Sequence, residues 1–397
     1  MGVKLYARGV AILILLLPMF LFQSVFAQHN TKIGLLLPLD VNGSTNELNK
    51  ITQNINNHTF TKNKLPESVT TSLSFLQGFM QSITISDSTH IIEVQVFDTG
   101  YEDTLIQQIL EKKGDDIRSS NLLIGPVTLS AAKLTAEFCK SNQIFNIQPF
   151  TPSRSVGKEN PFLIKLNPSI DVICDNIFQS VLDSFRNTRV ILYASSKGIE
   201  ATTAIYLDSL IRSNKQAKAA GITSTLCLYG SEKKCSFSDL LSDSKKNIVI
   251  STSLNLSWVQ GIIKPLAGRN IPLFGMPNWL QSEIIRLDYL NECQTRIPDF
   301  FWIDSSNTGI DSFTRQFIDE NHSPPDRNAW LGKDIGDYCR FLIDSNGNII
   351  PESLPPYKGM AYRFDLRPHL EGNKLQYWEN SYCPILQINA YQLRKIH

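Results

Sequence analysis

The hexapeptide Gly125-Pro126-Val127-Thr128-Leu129-Ser130 sets two hydroxyls after a short apolar run and just ahead of a stretch with helical spacing. A loop that opens a helix offers free backbone N–H groups and the positive end of the helix dipole. Thr128 and Ser130 are therefore candidates for holding a carboxylate. The same hydroxyls serve equally well as helix N-caps, which needs no ligand. Thr151 and Ser153 end the next apolar run, where Pro149 and Pro152 also fix the direction of the loop. Asp40 follows the first apolar run, Ser195 closes another, and Trp279 offers an aromatic face that either stacks on a ligand or fills a core. No residue is visibly placed to neutralise an ammonium group.

Catalytic templates fail one after another. The chain has no G-x-S-x-G elbow, no H-E-x-x-H, no Walker A sequence and no G-x-G-x-x-G after a strand. Its six histidines (His29, His58, His90, His322, His369 and His397) show no metal-type partner spacing, and Asp115-Asp116 beside Gly114 reads as a solvated turn. Catalysis, a metal and a cofactor are not expected.

Composition narrows the class further. Lys4 and Arg8 precede an apolar stretch, Gly9 to Phe22, and Val25-Phe26-Ala27 supplies small residues at cleavage-type positions. Residues 1–27 read as a secretory signal. The apolar stretch is shorter than the roughly 20 residues of a membrane span, though an uncleaved anchor is the alternative reading. Without Lys4 and Arg8, 36 basic residues stand against 37 acidic ones, a net charge near −1. That balance argues against a nucleic-acid surface. The 42% hydrophobic content supports a sizeable core, and the roughly 370 residues after position 27 are enough for two lobes. All seven cysteines (Cys139, Cys174, Cys227, Cys235, Cys293, Cys339, Cys383) follow the signal without zinc-type spacing. Cys227 and Cys235 are the closest pair for an exported disulfide, while dispersed buried thiols are the competing reading.

The elements that must position these residues follow from periodicity. Short apolar runs at 33–39, 91–97, 122–124 and 144–147 predict strands, and helical spacing at 72–85, 105–113 and 130–140 alternates with them. Gly114 is expected to close the second of those helices. Strands at 190–193, 222–228, 248–251 and 272–274 form a second set, with helices at 200–214, 237–241 and 258–266. Further readings are a strand-like 300–304, helices at 313–320 and 335–343, and a terminal antiparallel pair of 362–366 with 384–393. Residues 40–67, rich in Asn, Thr and Lys, read as a long exposed loop. Two consecutive βαβ series predict an α/β protein with two parallel, doubly wound lobes.

Several segments in order, among them KIGLLLPL (32–39), LSFLQGFMQSI (73–83), EVQVFDTG (93–100), LLIGPVTLSAAKLTAEFC (122–139), IQPFTPS (147–153) and PLFGMPNWL (272–280), resemble the type I periplasmic-binding-protein superfamily of the Leu/Ile/Val-binding kind. The F-G-x-P-x-W stretch from Phe274 to Trp279 is similar to a Bacteroidota cell-envelope subgroup often fused to LysM domains. The chain departs from that subgroup in lacking a LysM segment and a lipid-attachment Cys, and in carrying Lys333 where an aromatic is usual.

The resemblance implies two Rossmann-like lobes joined by a three-crossing hinge, with 31–150 plus 306–345 in one lobe and 151–305 plus 346–397 in the other. It implies an extracytoplasmic, non-catalytic protein that binds a small polar ligand, amino acid or peptide-like, in the cleft. Ligand residues would be Asp40, Thr128, Ser130, Thr151, Ser153, Ser195 and Trp279. A transporter permease is the expected partner, with no nucleic acid and no membrane span after signal cleavage. The alternative is an envelope scaffold or regulator of peptidoglycan machinery that keeps the fold without a small ligand.

Overall fold

The computed structural model describes residues 29–41, 43, 65–83, 90–100, 103–230, 237–242, 246–303, 307–343 and 354–396. The signal segment, Cys235 and most of the loop at 40–67 lie outside them. Strands β1 (His29–Leu37), β2 (His90–Asp98), β3 (Leu122–Ile124), β4 (Phe145–Gln148) and β5 (Leu163–Lys165) form one parallel sheet in the order β2-β1-β3-β4-β5. Strands β6 (Arg189–Ser195), β7 (Thr223–Tyr229), β8 (Asn247–Ser251), β9 (Leu273–Phe274) and β10 (Arg296–Pro298) repeat that order as β7-β6-β8-β9-β10. The sequence reason is direct. Ile33 and Leu35–Leu37, and likewise Val190–Leu192 and Ile248–Ile250, are almost wholly buried, as strands covered on both faces must be.

Helices cover both sheets. In the first lobe these are α1 (Glu67–Ile83), α2 (Asp103–Lys112), α3 (Gly114–Arg118) and α4 (Leu129–Asn142). The second lobe has α5 (Ile170–Ser184), α6 (Gly198–Ser213), α7 (Lys215–Ala219), α8 (Phe237–Ser242), α9 (Leu256–Leu266) and α10 (Leu287–Glu292). The chain then returns to the first lobe with α11 (Gly309–Asn321) and α12 (Arg327–Leu342), whose Phe313, Phe317, Trp330 and Ile335 join the first core. Gly114 does not close α2 as expected; it begins α3, so the two short helices run on almost without a loop. Among the described residues no helix is long and apolar enough to cross a membrane.

The lobe boundaries differ from those expected. β5 belongs to the first sheet, and the hairpin β13 (Leu366–Glu371) with β14 (Lys374–Asn380) is added to that sheet beside β5. The hairpin β15 (Ile385–Asn389) with β16 (Gln392–Lys395) completes the second sheet. The crossings therefore fall at about 166–169, 299 and 381–384 rather than near 150, 305 and 345. The expected antiparallel pairing of 362–366 with 384–393 is absent. Each arm folds locally instead, β12 (Arg363–Phe364) on β11 (Tyr357–Lys358) and β15 on β16. Ala390 and Tyr391, both at positive φ (51° and 60°), make the two-residue turn that favours the β15–β16 hairpin. Phe301 contributes only a single bridge, to Tyr362, because 300–303 is a crossing segment and not a strand.

The tightest packing is between α1 and α12. A Cβ on Gly78 would lie 1.9 Å from the Ala329 carbonyl oxygen, and one on Gly332 would lie 2.0 Å from that of Phe75. The two backbones touch, and no side chain can move aside to relieve such a contact. By contrast, a Cβ on Gly261 in α9 meets nothing within 4 Å. Gly332→Ala should lower the urea-unfolding free energy by about 2 kcal/mol or more. Gly261→Ala should raise it by about 0.5–1 kcal/mol. Equal effects at the two positions would contradict the close helix contact.

Candidate functional site

In both sheets the strand order reverses beside the first strand, between β1 and β3 in one lobe and between β6 and β8 in the other. Loops leaving the C-terminal ends of strands on either side of such a point diverge and leave a crevice, where ligands of open α/β sheets bind. In the first lobe the loops after β1, β3 and β4 carry Asp40, Thr128, and Thr151 with Ser153, and Ser130 lies in the first turn of α4, so these five expected residues share one sheet edge. Ser195 ends β6 at the corresponding edge of the second sheet.

An acid organises each edge. In the first lobe the Asp98 carboxylate, at the end of β2, accepts the backbone N–H groups of Leu39 (3.0 Å), Asp40 (2.8 Å), Val41 (2.8 Å) and Gly100 (3.0 Å). This holds Asp40 at φ 43°. The loop after β3 is held from beneath, since the Gly125 carbonyl accepts the side-chain amides of Asn146 (3.0 Å) and Gln148. Gly125 is at φ 91°, and a Cβ there would sit 2.5 Å from the Leu36 carbonyl oxygen, so the turn requires glycine. Thr128 caps α4, accepting the Ala131 N–H at 3.4 Å, and both Thr128 and Ser130 are exposed. Thr151 is buried and accepts the Ser153 N–H at 3.3 Å, while Ser153 accepts the Ser155 N–H at 3.2 Å. These two hydroxyls shape their own loop.

In the second lobe the organiser is Glu200, in the first turn of α6. Its carboxylate accepts the backbone N–H of Ser195 (3.3 Å) and Leu254 (2.8 Å) and the hydroxyls of Tyr229 (3.0 Å) and Ser253 (3.4 Å). One side chain thus ties together the ends of β6, β7 and β8. Tyr229 in turn stacks on Trp258 (centroids 4.4 Å apart, 15° between planes), and Trp258 is 50% exposed. The result is a fixed aromatic face at the rim. Sequence reasoning missed Glu200, Tyr229 and Trp258; an acid in the first turn after a strand is the only local signal for the first of them.

Trp279 is corrected to a core residue. It is 1% exposed, lies so close to Gly275 that a Cβ there would fall 2.3 Å from its ring, and donates its indole N–H to the Ser253 carbonyl at 2.9 Å. It cannot stack on a ligand, but it supports the rim loop from behind. Lys333 is likewise internal, paired with Asp337 on the next turn of α12. Among the described residues no group of three His, Cys, Asp or Glu side chains could hold a metal ion. Cys227 is disulfide-bonded; Cys139, Cys174, Cys293, Cys339 and Cys383 are buried free thiols.

The hinge joins the edges. Lys165, 0% exposed, pairs with Glu379 on the neighbouring strand β14 at 3.1 Å. The same carboxylate accepts the Ser169 N–H (3.1 Å), and Arg154 bridges Glu379 to Asp171 in the first turn of α5. Asn380 donates to the Leu166 carbonyl at 3.1 Å, and Asp299, held bidentately by Arg327, donates its backbone N–H to Pro384. All three crossings are knitted together.

No family model matches the chain and no curated protein matches it. Solved structures do. A branched-chain amino acid ABC transporter protein from Rhodospirillum rubrum aligns over 92% of this chain and 100% of its own, at 13% identity and a TM-score of 0.62. A branched-chain amino acid ABC transporter periplasmic ligand-binding protein from Burkholderia xenovorans covers 92% and 94% at 11% identity, with a TM-score of 0.60. An ABC transporter substrate-binding protein from Desulfitobacterium hafniense, in complex with Leu, covers 92% and 100% at 14% identity, with a TM-score of 0.56.

Burial pushes the Glu379 pKa up, but Lys165 and Arg154, with the hydrogen bonds from Ser169 and Lys165, outweigh it and hold the carboxyl below its ordinary 4.5. A carboxyl depressed in the folded state contributes stability above its unfolded value and loses it as pH falls through the folded one. Unfolding free energy should therefore drop as pH falls below about 4.5. Glu379→Gln should cost about 3–5 kcal/mol at pH 7, because Lys165 is left buried without its partner, and should flatten the acid limb. A neutral-pH stability equal to that of the wild type would refute this role.

Proposed function

We propose, from the type I periplasmic binding protein fold that this chain shares with those structures, that it is an extracytoplasmic, non-catalytic binding protein that closes its lobes on a small solute. The observation that carries the reading is the pair of switch points, each with its strand-end loops locked by one acid, Asp98 or Glu200. Pre-positioned loops at such points reduce the ordering entropy that a ligand must overcome. The first lobe offers hydroxyls and the N-terminus of α4 at Thr128 and Ser130, suited to a carboxylate. The second offers the exposed face of Trp258, backed by Tyr229, suited to an apolar or planar group. A small carboxylate-bearing solute with an apolar portion, amino acids and short peptides included, fits both halves. Hinge bending at the three crossings brings them together. The apolar stretch from Gly9 to Phe22 supports export, and a transporter permease is the partner in keeping with the fold.

A second reading has its own support. Ile199, Leu254 and Trp258 are large apolar residues exposed together at the second-lobe rim, which also suits docking onto a protein of the cell-wall machinery.

A melting screen of the mature chain against amino acids, short peptides and muropeptides separates the two. A ligand at a hundredfold excess over its dissociation constant adds about 2.7 kcal/mol of stability. The expected result is a shift with at least one carboxylate-bearing compound that is lost in both Thr128→Ala/Ser130→Ala and Trp258→Ala. No shift with any compound, or a shift that both variants retain, contradicts cleft binding and leaves the docking reading to be tested by recovery of a cell-wall enzyme with the wild type but not with Trp258→Ala.

A further inference from the structure

Hydrogen-bond acceptors at the two cleft edges are already taken up by the loops themselves. Asp98 and Glu200 each accept four hydrogen bonds, about what the two oxygens of a carboxylate can hold. Asp40 is the other acid at the first edge. A Cβ on Gly43 would lie 2.0 Å from its Oδ2, so that carboxylate is turned back onto its own loop. The carbonyls follow the same pattern. That of Gly125 takes the amides of Asn146 and Gln148, and that of Ser253 takes the Trp279 indole. The Leu254 carbonyl accepts the Asn278 amide at 3.1 Å, and that of Tyr229 accepts the Ser196 N–H at 2.9 Å.

Donors and positive charge are what the edges still offer. At the first edge α4 opens with Ser130 exposed in its first turn. At the second edge α6 opens at Lys197 with no side chain capping its N–H groups. Lys197 is exposed, and among the described residues no carboxylate pairs with it. Ile199 (55% exposed), Leu254 (41%) and Trp258 (50%) make the rest of that rim apolar. A carboxylate entering such a cleft exchanges water for N–H and O–H donors. An ammonium group gives up its water and finds no acceptor, which is costly for a charge. The Trp258 ring by itself would attract a cation, and the charge of Lys197 on the same rim opposes that attraction.

We propose that the cleft selects organic acids with an apolar or aromatic body and no ammonium group, over α-amino acids of the same shape. This rests on the cleft-binding reading given above and narrows it. The carboxylate is received by the donors at the opening of α4, and the body of the acid lies on Trp258. Selection comes from the missing acceptor: each acid that could pair with an ammonium is committed to holding a loop.

The probes are free phenylalanine, phenyllactate and phenylpropanoate, and free leucine with leucic acid. Each is titrated into the full chain at neutral pH and matched ionic strength, with melting temperature as the readout. Phenyllactate carries a hydroxyl where phenylalanine carries its ammonium, and leucic acid stands in the same relation to leucine, so size is held constant while the charge is removed. The expected result is a saturable rise with at least one hydroxy acid, at an apparent affinity at least about tenfold tighter than that of its amino acid. Phenylpropanoate should side with phenyllactate. The rise should be lost in Trp258→Ala, a change at a half-exposed position. An amino acid that binds as tightly as its hydroxy acid overturns this inference and leaves cleft binding intact, as does a preference that Trp258→Ala retains. Silence from all of these probes overturns it too, and only silence across the wider screen of amino acids, peptides and muropeptides removes cleft binding with it.

Discussion

A lysine with no exposed surface sits at the end of a three-residue strand in the middle of a sheet, and much of the architecture answers to it. The Lys165 ammonium is buried and must meet an anion, and Glu379, its partner, is 214 residues further along the chain. The two residues are register partners across β5 and β14, so the pair can form only if the late hairpin returns to the first sheet. That return obliges the chain to cross between lobes a third time before β15 completes the second sheet. The same carboxylate accepts the Ser169 N–H and meets Arg154, which grips Asp171. A charge pair inside one lobe is thereby continuous with the first turn of a helix in the other.

Around that junction the two lobes solve one problem twice. Each has the strand order that reverses next to its first strand, and each must keep the diverging loops from collapsing into the crevice between them. Asp98 does this with four backbone N–H groups, and Glu200 with two backbone N–H groups and two hydroxyls. The lobes nevertheless present different chemistry. One edge shows hydroxyls and a helix N-terminus; the other shows Trp258 lying on Tyr229.

Much of this was legible in the sequence, for a reason that also marks its limit. The runs at Leu35–Leu37, Val190–Leu192 and Ile248–Ile250 announce doubly covered strands because local composition alone dictates burial there. β5 escaped because its Leu-Ile-Lys pattern makes sense only with Glu379 beside it. The lobe boundaries failed for the same reason. Thr128 stands at the N-cap of α4 and Ser130 in its first turn, at the helix opening that the sequence marks, whereas Trp279 belongs to the core because Gly275 leaves room for its ring. Glu200, Tyr229 and Trp258 come from three separate elements, and nothing in their local sequence shows that they meet.

Two edges that close on a ligand about a hinge built from three crossings must draw the molecule together. Small-angle X-ray scattering of the full chain, titrated with whichever compound most raises its melting temperature, tests this most directly. The radius of gyration should fall saturably, with the same midpoint as the thermal shift. A ligand that binds at the cleft while the scattering curve stays unchanged would contradict the account.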